Sequence, residues 1–286
     1  MNSQCILCLL ERNAQKVQAL GTEEQATAFM RQLLQMYLDA PEDASSPYLG
    51  PKITELYEKH YGLSGDRYAE EKRLSNAFVM ERLPRLRRFV QEAKDPLLAA
   101  IQLSILGNYL DFAALKGNVS FEKLDEYLLM AADMQLDPDC YAQLQKDLST
   151  AKRLLYITDN AGEIGFDRVL AETIRQLYPD IAITFCVRGG ITQNDATRED
   201  AAAVGIDFPV IDNGNAVAGT EISLLSEEAK QALETADVVI AKGMGNTETM
   251  YGCGYNVYYA FLVKCQRFVD FFGKALMTPM LVREKK

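Results

Sequence analysis

The chain has 286 residues, 48% of them hydrophobic and 24% charged, with six cysteines and a formal net charge of -10. That balance excludes a basic nucleic-acid-binding surface, and no apolar run approaches the ~18 residues that mark a membrane span. Six cysteines, four of them scattered, do not read as a disulfide framework, and Met1-Asn2-Ser3-Gln4 has no positive segment ahead of an apolar core, so a cytoplasmic protein without a membrane partner is expected.

From Met1 to about Leu148 the periodicity is helical. Segments run from Gln4 to Leu20, Thr22 to Tyr37, Pro51 to Tyr61, Asp66 to Glu92, Pro96 to Asp111, Phe121 to Met134 and Pro138 to Leu148. Thr22 ahead of Glu24-Gln25 and Asp95-Pro96 are helix-start signals. Prolines and glycines between Asp39 and Pro51, and Lys116-Gly117-Asn118, punctuate the connections. Cys5 and Cys8 form a single C-x-x-C in an apolar helical pattern; no second pair completes a zinc site, so two small buried residues on one helix face are expected. His60 is the one histidine, which removes a Ser-His-Asp triad and His-rich zinc sites, and is expected to be a satisfied structural residue. Arg82, Arg85, Arg87 and Arg88 read as a solvated helix face, with a substrate-steering rim as the alternative.

From Lys152 the pattern alternates. Arg153 to Thr158, Ile181 to Val187, Phe208 to Ile211, Asp237 to Ala241 and Val257 to Val263 read as strands, and Phe166 to Tyr178, Asp200 to Val204 and Ser226 to Glu234 as helices. Alternation at this spacing predicts a mostly parallel sheet sandwiched by helices. The expected architecture is α/β: an all-helical region or cap over residues 1–150, then a Rossmann-like catalytic domain over 151–286.

Three apolar strands end in potentially reactive residues. The first ends in Asp159-Asn160, followed by Gly162 and Glu163; the second in Arg188-Gly189-Gly190 and then Asn194-Asp195; the third in Lys242-Gly243-Met244-Gly245-Asn246. Parallel neighbours lie about 4.8 Å apart, so these ends can converge. Asp159, Asn160 and Asp195 would then be oxygen ligands of one hard cation such as Mg²⁺ or Mn²⁺. Lys242 would be a phosphate counter-charge, and the glycine turns would offer N–H groups to anionic oxygens. The alternative for Asp159-Asn160 is a simple N-cap. No P-loop is present, since Gly273-Lys274 is followed by Ala275.

Asp159-Asn160-Ala161-Gly162-Glu163, Arg188-Gly189-Gly190 with Asn194-Asp195-Ala196-Thr197, Asp212-Asn213-Gly214 and Ala241 to Asn246 together resemble the metal-dependent damage-control phosphatases, long known only as a domain of unknown function. In the helical half, Cys5-x-x-Cys8, Asp66-x-Tyr68 with Lys72 and Ser75-Asn76, and Gly107-Asn108-Tyr109-Leu110-Asp111 resemble features of the prokaryotic branch. The resemblance implies a divalent metal, with Co²⁺ or Ni²⁺ also possible, on Asp159, Asn160 and Asp195. It implies phosphate contacts from Asn194 and Lys242, with Arg188 in the same motif, and Glu163, Asn108 and Asp111 facing the cleft. Asn76 and Asn108 would bring substrate selectivity from the helical half. One departure is that Ile191-Thr192-Gln193 stand where the family has a proline and two apolar residues.

The expected activity is metal-dependent hydrolysis of a small phosphomonoester, a sugar phosphate or damaged phosphometabolite, with Asp159, Asp195 and Glu163 catalytic and general acid help from Glu163 or Asp111. Two other classes remain at this point: a non-catalytic phosphometabolite sensor, and a methyltransferase-type domain suggested by Gly162-Glu163.

Overall fold

A computed structural model describes residues 1–115 and 124–284, and side chains outside residue 65 and residues 109–125. Among the described residues α-helices come first: α1 (Ser3–Leu20), α2 (Glu23–Leu38), α3 (Gly50–Tyr61), α4 (Ala69–Gln91), α5 (Pro96–Leu115), α6 (Leu124–Ala132) and α7 (Pro138–Thr150). Local signals set several boundaries. Thr22 and Gln25 close a capping box on α2, Asp137 and Pro138 start α7, and Gly62 at φ 64° ends α3 in the left-handed conformation that glycine adopts without strain.

The alternating half follows as β1 (Arg153–Ile157), α8 (Glu163–Leu177), β2 (Ala182–Val187), α9 (Arg198–Ala203), β3 (Val210–Asp212), α10 (Glu227–Thr235), β4 (Val238–Lys242), α11 (Gly243–Met250), β5 (Val257–Leu262), α12 (Gln266–Phe272) and β6 (Pro279–Arg283). The strands form one sheet in the order β3-β2-β1-β4-β5-β6, parallel except for β6, which runs antiparallel to β5. The mostly parallel sandwich matches the expectation. α11, α12 and β6 were not foreseen.

Strand periodicity divides the core in two. Leu154 and Tyr156 of β1, with Val238 and Ile240 of β4, join a cluster that includes Leu83 and Leu86 of α4, Leu103 and Leu106 of α5, and Ile164 and Leu170 of α8. Leu155 and Ile157, with Val239 and Ala241, pack on the other face against Leu233 of α10, Met250 of α11 and Phe268 of α12. The sheet is therefore covered on one face partly by helices from the first 150 residues. α1 to α3 pack separately around Val17, Phe29, Leu33 and Tyr57.

Three expectations about the helical half change. Cys5 is buried but Cys8 is exposed, so the pair does not share a buried face; Cys5 Sγ instead accepts from Arg267 at 3.4 Å. His60 packs edge-on to Phe29, but its buried Nε2 has no hydrogen-bond partner among the described residues, so it is not satisfied. The arginine face is not simply solvated. Arg87 holds Glu172 of α8 through two bonds of 2.8 and 2.6 Å, and Arg82 stacks on Phe78 at 4.0 Å.

Candidate active site

Because β1 lies between β2 and β4 and runs parallel to both, the residues after Ile157, Val187 and Ala241 emerge at one sheet edge. Backbone bonds then join the first two loops. Ala161 N–H donates to the Asn194 carbonyl and Ala196 N–H to the Asp159 carbonyl, both at 2.8 Å, and Asn160 and Asp195 face each other as an isolated antiparallel bridge. Neither Asp159 nor Asn160 caps α8. Its N-cap is Gly162, at φ 75° and without a side-chain cap bond, so the N-cap alternative does not describe this turn.

The first cluster is carboxylate-rich. Asn108 and Asn160 each donate Nδ2 to Asp159 Oδ2, at 3.0 and 2.8 Å, and to Glu163 Oε2, at 2.9 and 2.8 Å. Arg188 Nε donates to Asp195 Oδ2 at 2.7 Å, its NH1 to Asn246 Oδ1 at 3.1 Å, and its NH2 lies 3.8 Å from Asp159 Oδ1. Among the described residues, Oδ1 of Asp159 and Oδ1 of Asp195 accept no hydrogen bond. Burial, then the charges of Glu163 and Asp195, push Asp159 far above the usual carboxylate range. Burial also raises Asp195, against the pull of Arg188. Like charges have thus been gathered where they oppose one another, and a divalent cation would relieve that opposition. Among the described residues no three His, Cys, Asp or Glu side chains form a metal-holding group. The set is two carboxylates and an amide, an all-oxygen donor set suited to a hard ion.

A second cluster lies directly beneath. Lys242 is fully buried, and its ammonium donates to Glu163 Oε1 at 2.7 Å, Asp167 Oδ1 at 2.9 Å and the Ser104 carbonyl at 3.0 Å. Ser104 Oγ and Tyr156 OH also donate to Asp167 Oδ1, at 2.8 and 2.9 Å. Burial raises Glu163, but Lys242 and the Asn108 amide outweigh it and hold the carboxyl below its ordinary value. Burial pushes Asp167 up to about 6 against the attraction of Lys242. The two carboxylates in turn overcome the burial of Lys242 and raise it.

The other expected residues are placed as follows. Lys242 reaches the cluster, but all three ammonium protons are engaged inside the protein. Asn76 is buried, accepting from Gly162 N–H at 2.7 Å and donating to Asp200 Oδ1 at 2.8 Å. Asn194 is buried, with its carbonyl in the loop pairing above. The side chain of Asp111 lies outside the described residues. The N–H groups of Gly189 and Gly190 do not point to an anion, since both donate to the Asn215 carbonyl at 3.0 Å. Gly243 is needed for a different reason: it sits at φ 78°, and a Cβ there would meet Asp159 Oδ2 at 2.0 Å. In the atypical stretch, Gln193 takes a positive φ of 45° and Asp195 N–H donates to the Thr192 carbonyl at 3.0 Å, so a tight turn returns the chain to Asp195.

Ser104, Tyr156, Asp167 and Lys264 were missed, and Asn246, read only as part of the third strand-end motif, accepts from Arg188 NH1 at 3.1 Å. Lys264 follows β5, donates to the Asn108 carbonyl at 2.9 Å, and its charge lowers both Asp159 and Glu163. A signal for two of them existed. Ser104 and Asn108 on α5, and Glu163 and Asp167 on α8, are polar pairs at i,i+4 on helices otherwise buried at those faces, a spacing that puts each pair on one side.

A model of the family "Damage-control phosphatase ARMT1-like domain" matches residues 1–278. The chain belongs to this family. The damage-control phosphatase of Archaeoglobus fulgidus is 32% identical over 212 residues, 72% of each chain. An uncharacterised protein of Methanocaldococcus jannaschii is 30% identical over 281 residues, covering 94% of this chain and 91% of that one. The crystal structure of a DUF89 family protein from Pyrococcus horikoshii superposes with a TM-score of 0.84 at 26% identity, covering 100% of this chain and 99% of that one. As a damage-control phosphatase family member the chain falls in the class of hydrolases that act on damaged phosphorylated metabolites. A methyltransferase-type reading of Gly162-Glu163 fails on geometry as well, because both Glu163 oxygens are engaged in the interior.

Proposed function

We propose that the chain is a metal-dependent phosphatase of small phosphomonoesters, sugar phosphates or damaged phosphometabolites, with Asp159, Asn160 and Asp195 holding a Mg²⁺- or Mn²⁺-type ion. The observation that supports this reading is the pairing of the β1 and β2 loops, which sets the half-buried Asp159 and the buried Asp195 side by side, both held above the ordinary carboxylate range and Asp159 in part by the charge of Asp195. A bound divalent ion would supply charge neutralisation and activation of a water. The chain's own residues do the positioning on which phosphoryl transfer depends. Arg188 fixes Asp195 and borders Asp159, and Glu163 fixes the amides of Asn160 and Asn108. Glu163 is a positioning group in this scheme, since its carboxyl is held ionised and fully engaged and is a poor proton donor. The phosphate counter-charge comes from Lys264, at the end of the next strand and close enough to lower Asp159, while Lys242 acts on the site through Glu163.

The test is phosphate release from a panel of sugar phosphates and other small esters with Mg²⁺, Mn²⁺, Co²⁺ or Ni²⁺. Wild type is expected to turn over only with metal, and Asp159→Ala to lose at least about a hundredfold, the scale of one strong electrostatic contributor. Ester-dependent thermal stabilisation with no release under any metal would replace the enzyme with a sensor.

A further inference from the structure

The two loops that carry the aspartates are also tied to a third element. Asn76 of α4 spans the gap between them, its Oδ1 accepting from Gly162 N–H at 2.7 Å and its Nδ2 donating to Asp200 Oδ1 at 2.8 Å. Asp200 is 5% exposed. Its other oxygen accepts from Thr197 N–H at 2.8 Å and Thr197 Oγ1 at 2.9 Å, and pairs with Lys72 of α4 at 2.7 Å. Gly162 lies three residues after Asp159, and Thr197 two after Asp195. One amide and one carboxylate, both anchored on α4, therefore clamp the chain immediately beyond each aspartate.

Two close approaches keep the clamp from yielding. A Cβ on Gly162 would meet Ser75 Cβ at 2.8 Å, and one on Gly165 would meet Val79 Cγ1 at 2.4 Å, so the turn and the first turn of α8 lie directly on α4. Capping α9 would explain one Asp200 oxygen. It explains neither the bond to Asn76 nor the pair with Lys72, both of which leave α9 for another element.

We propose that Asn76 and Asp200 are positioning residues that set the separation of the metal-holding loops without touching metal or substrate. The inference rests on the metal-dependent reading above. Groups that orient ligands in this way change metal affinity by about 10–100-fold when removed.

Manganese binding to wild type, Asn76→Ala, Asp200→Asn, the double variant and Asp159→Asn is measured by calorimetry with Mn²⁺ alone, with thermal melts and near-UV circular dichroism in parallel. The expected result is that each clamp variant keeps a native spectrum but raises Kd about tenfold or more, while the double variant is weakened by less than the product of the singles, because both act through one bridge. Folded Asn76→Ala and Asp200→Asn proteins binding Mn²⁺ within about twofold of wild type overturn the inference, given the tenfold expectation. If Asp200→Asn does not fold, Asn76→Ala, which leaves the α9 cap intact, decides by the same criterion. Wild type that binds no Mn²⁺ removes the metal reading and this inference with it. Normal binding in the clamp variants together with loss in Asp159→Asn removes this inference alone.

Discussion

Lys242 and Asp167 show what a fully buried charge does when its partners are also buried. Lys242 is enclosed with two carboxylates and a carbonyl, so removing it leaves Glu163 and Asp167 uncompensated in the interior. Lys242→Met is therefore expected to cost about 3–5 kcal/mol, read from urea unfolding; an unchanged midpoint would mean that the carboxylates protonate instead. Asp167 makes a pH-dependent contribution of definite sign. Its carboxyl rises on folding from the ordinary 3.8 to about 6. Stability from this group is thus complete below the lower value and lost as pH rises through the upper one, an effect of about 3 kcal/mol. Asp159 and Asp195 share the sign in the metal-free protein, whereas Glu163, held low, opposes it. Asp167→Asn, which keeps an acceptor for Ser104 and Tyr156, is expected to flatten the fall in unfolding free energy between pH 4 and 7, compared with wild type in the same buffers (about 3 kcal/mol at most).

At the scale of elements, the turn from β4 into α11 carries the tightest steric demand near the site. Gly243→Ala combines a φ of 78° with a Cβ 2.0 Å from Asp159 Oδ2, so it is expected to destabilise by more than about 1 kcal/mol. It should also weaken Mn²⁺ binding by pushing that carboxylate aside, and wild-type affinity in a folded Gly243→Ala protein would show that Asp159 is not a ligand. Such turns explain which elements the sequence disclosed. β1, β2 and β4 read as mostly apolar runs, so the parallel pairing that brings the ends carrying Asp159, Asn160, Asp195 and Lys242 to one sheet edge was legible. α11 was hidden because Gly243 and Gly245 have weak helix propensity. Gly245 is required there instead by the Ala218 carbonyl, 2.2 Å from where its Cβ would be. β6 is a short edge strand that begins at Pro279, a position where proline is tolerated but which does not look like sheet interior. The buried ladder of Ser104, Asn108, Glu163 and Asp167 was illegible as a unit, because polar residues on a helix ordinarily mark its solvent face. Only the pairing of α5 with α8 shows that these four face one another.

At the scale of the whole molecule, the change of sequence pattern near residue 150 and the packing follow different lines. Leu83, Leu86, Leu103, Leu106, Leu144 and Leu148 belong to the apolar cluster that contains Leu154, Tyr156, Val238 and Ile240. A fragment of residues 151–286 would keep α8 on that face but expose the part of it that α4, α5 and α7 cover, and it would also lose Ser104 and Asn108 from the buried polar ladder. By contrast, Val17, Phe29, Leu33, Ile53 and Tyr57 of α1 to α3 form a cluster of their own. The cooperative unit around the site is thus expected to begin near α4. A fragment of residues 69–286, which retains Lys72, Asn76 and both faces of the sheet, should give a native near-UV circular dichroism spectrum and a single sigmoidal urea transition. The 151–286 fragment should show far-UV signal without near-UV structure and should bind a hydrophobic dye, as expanded states with unfixed packing do. Cooperative unfolding of 151–286 alone would mean that the sheet stands without its α4–α5 layer. In that case the first 150 residues would be a separable cap, and the contacts of Asn76 and Asn108 would belong to an interface between domains rather than to one core.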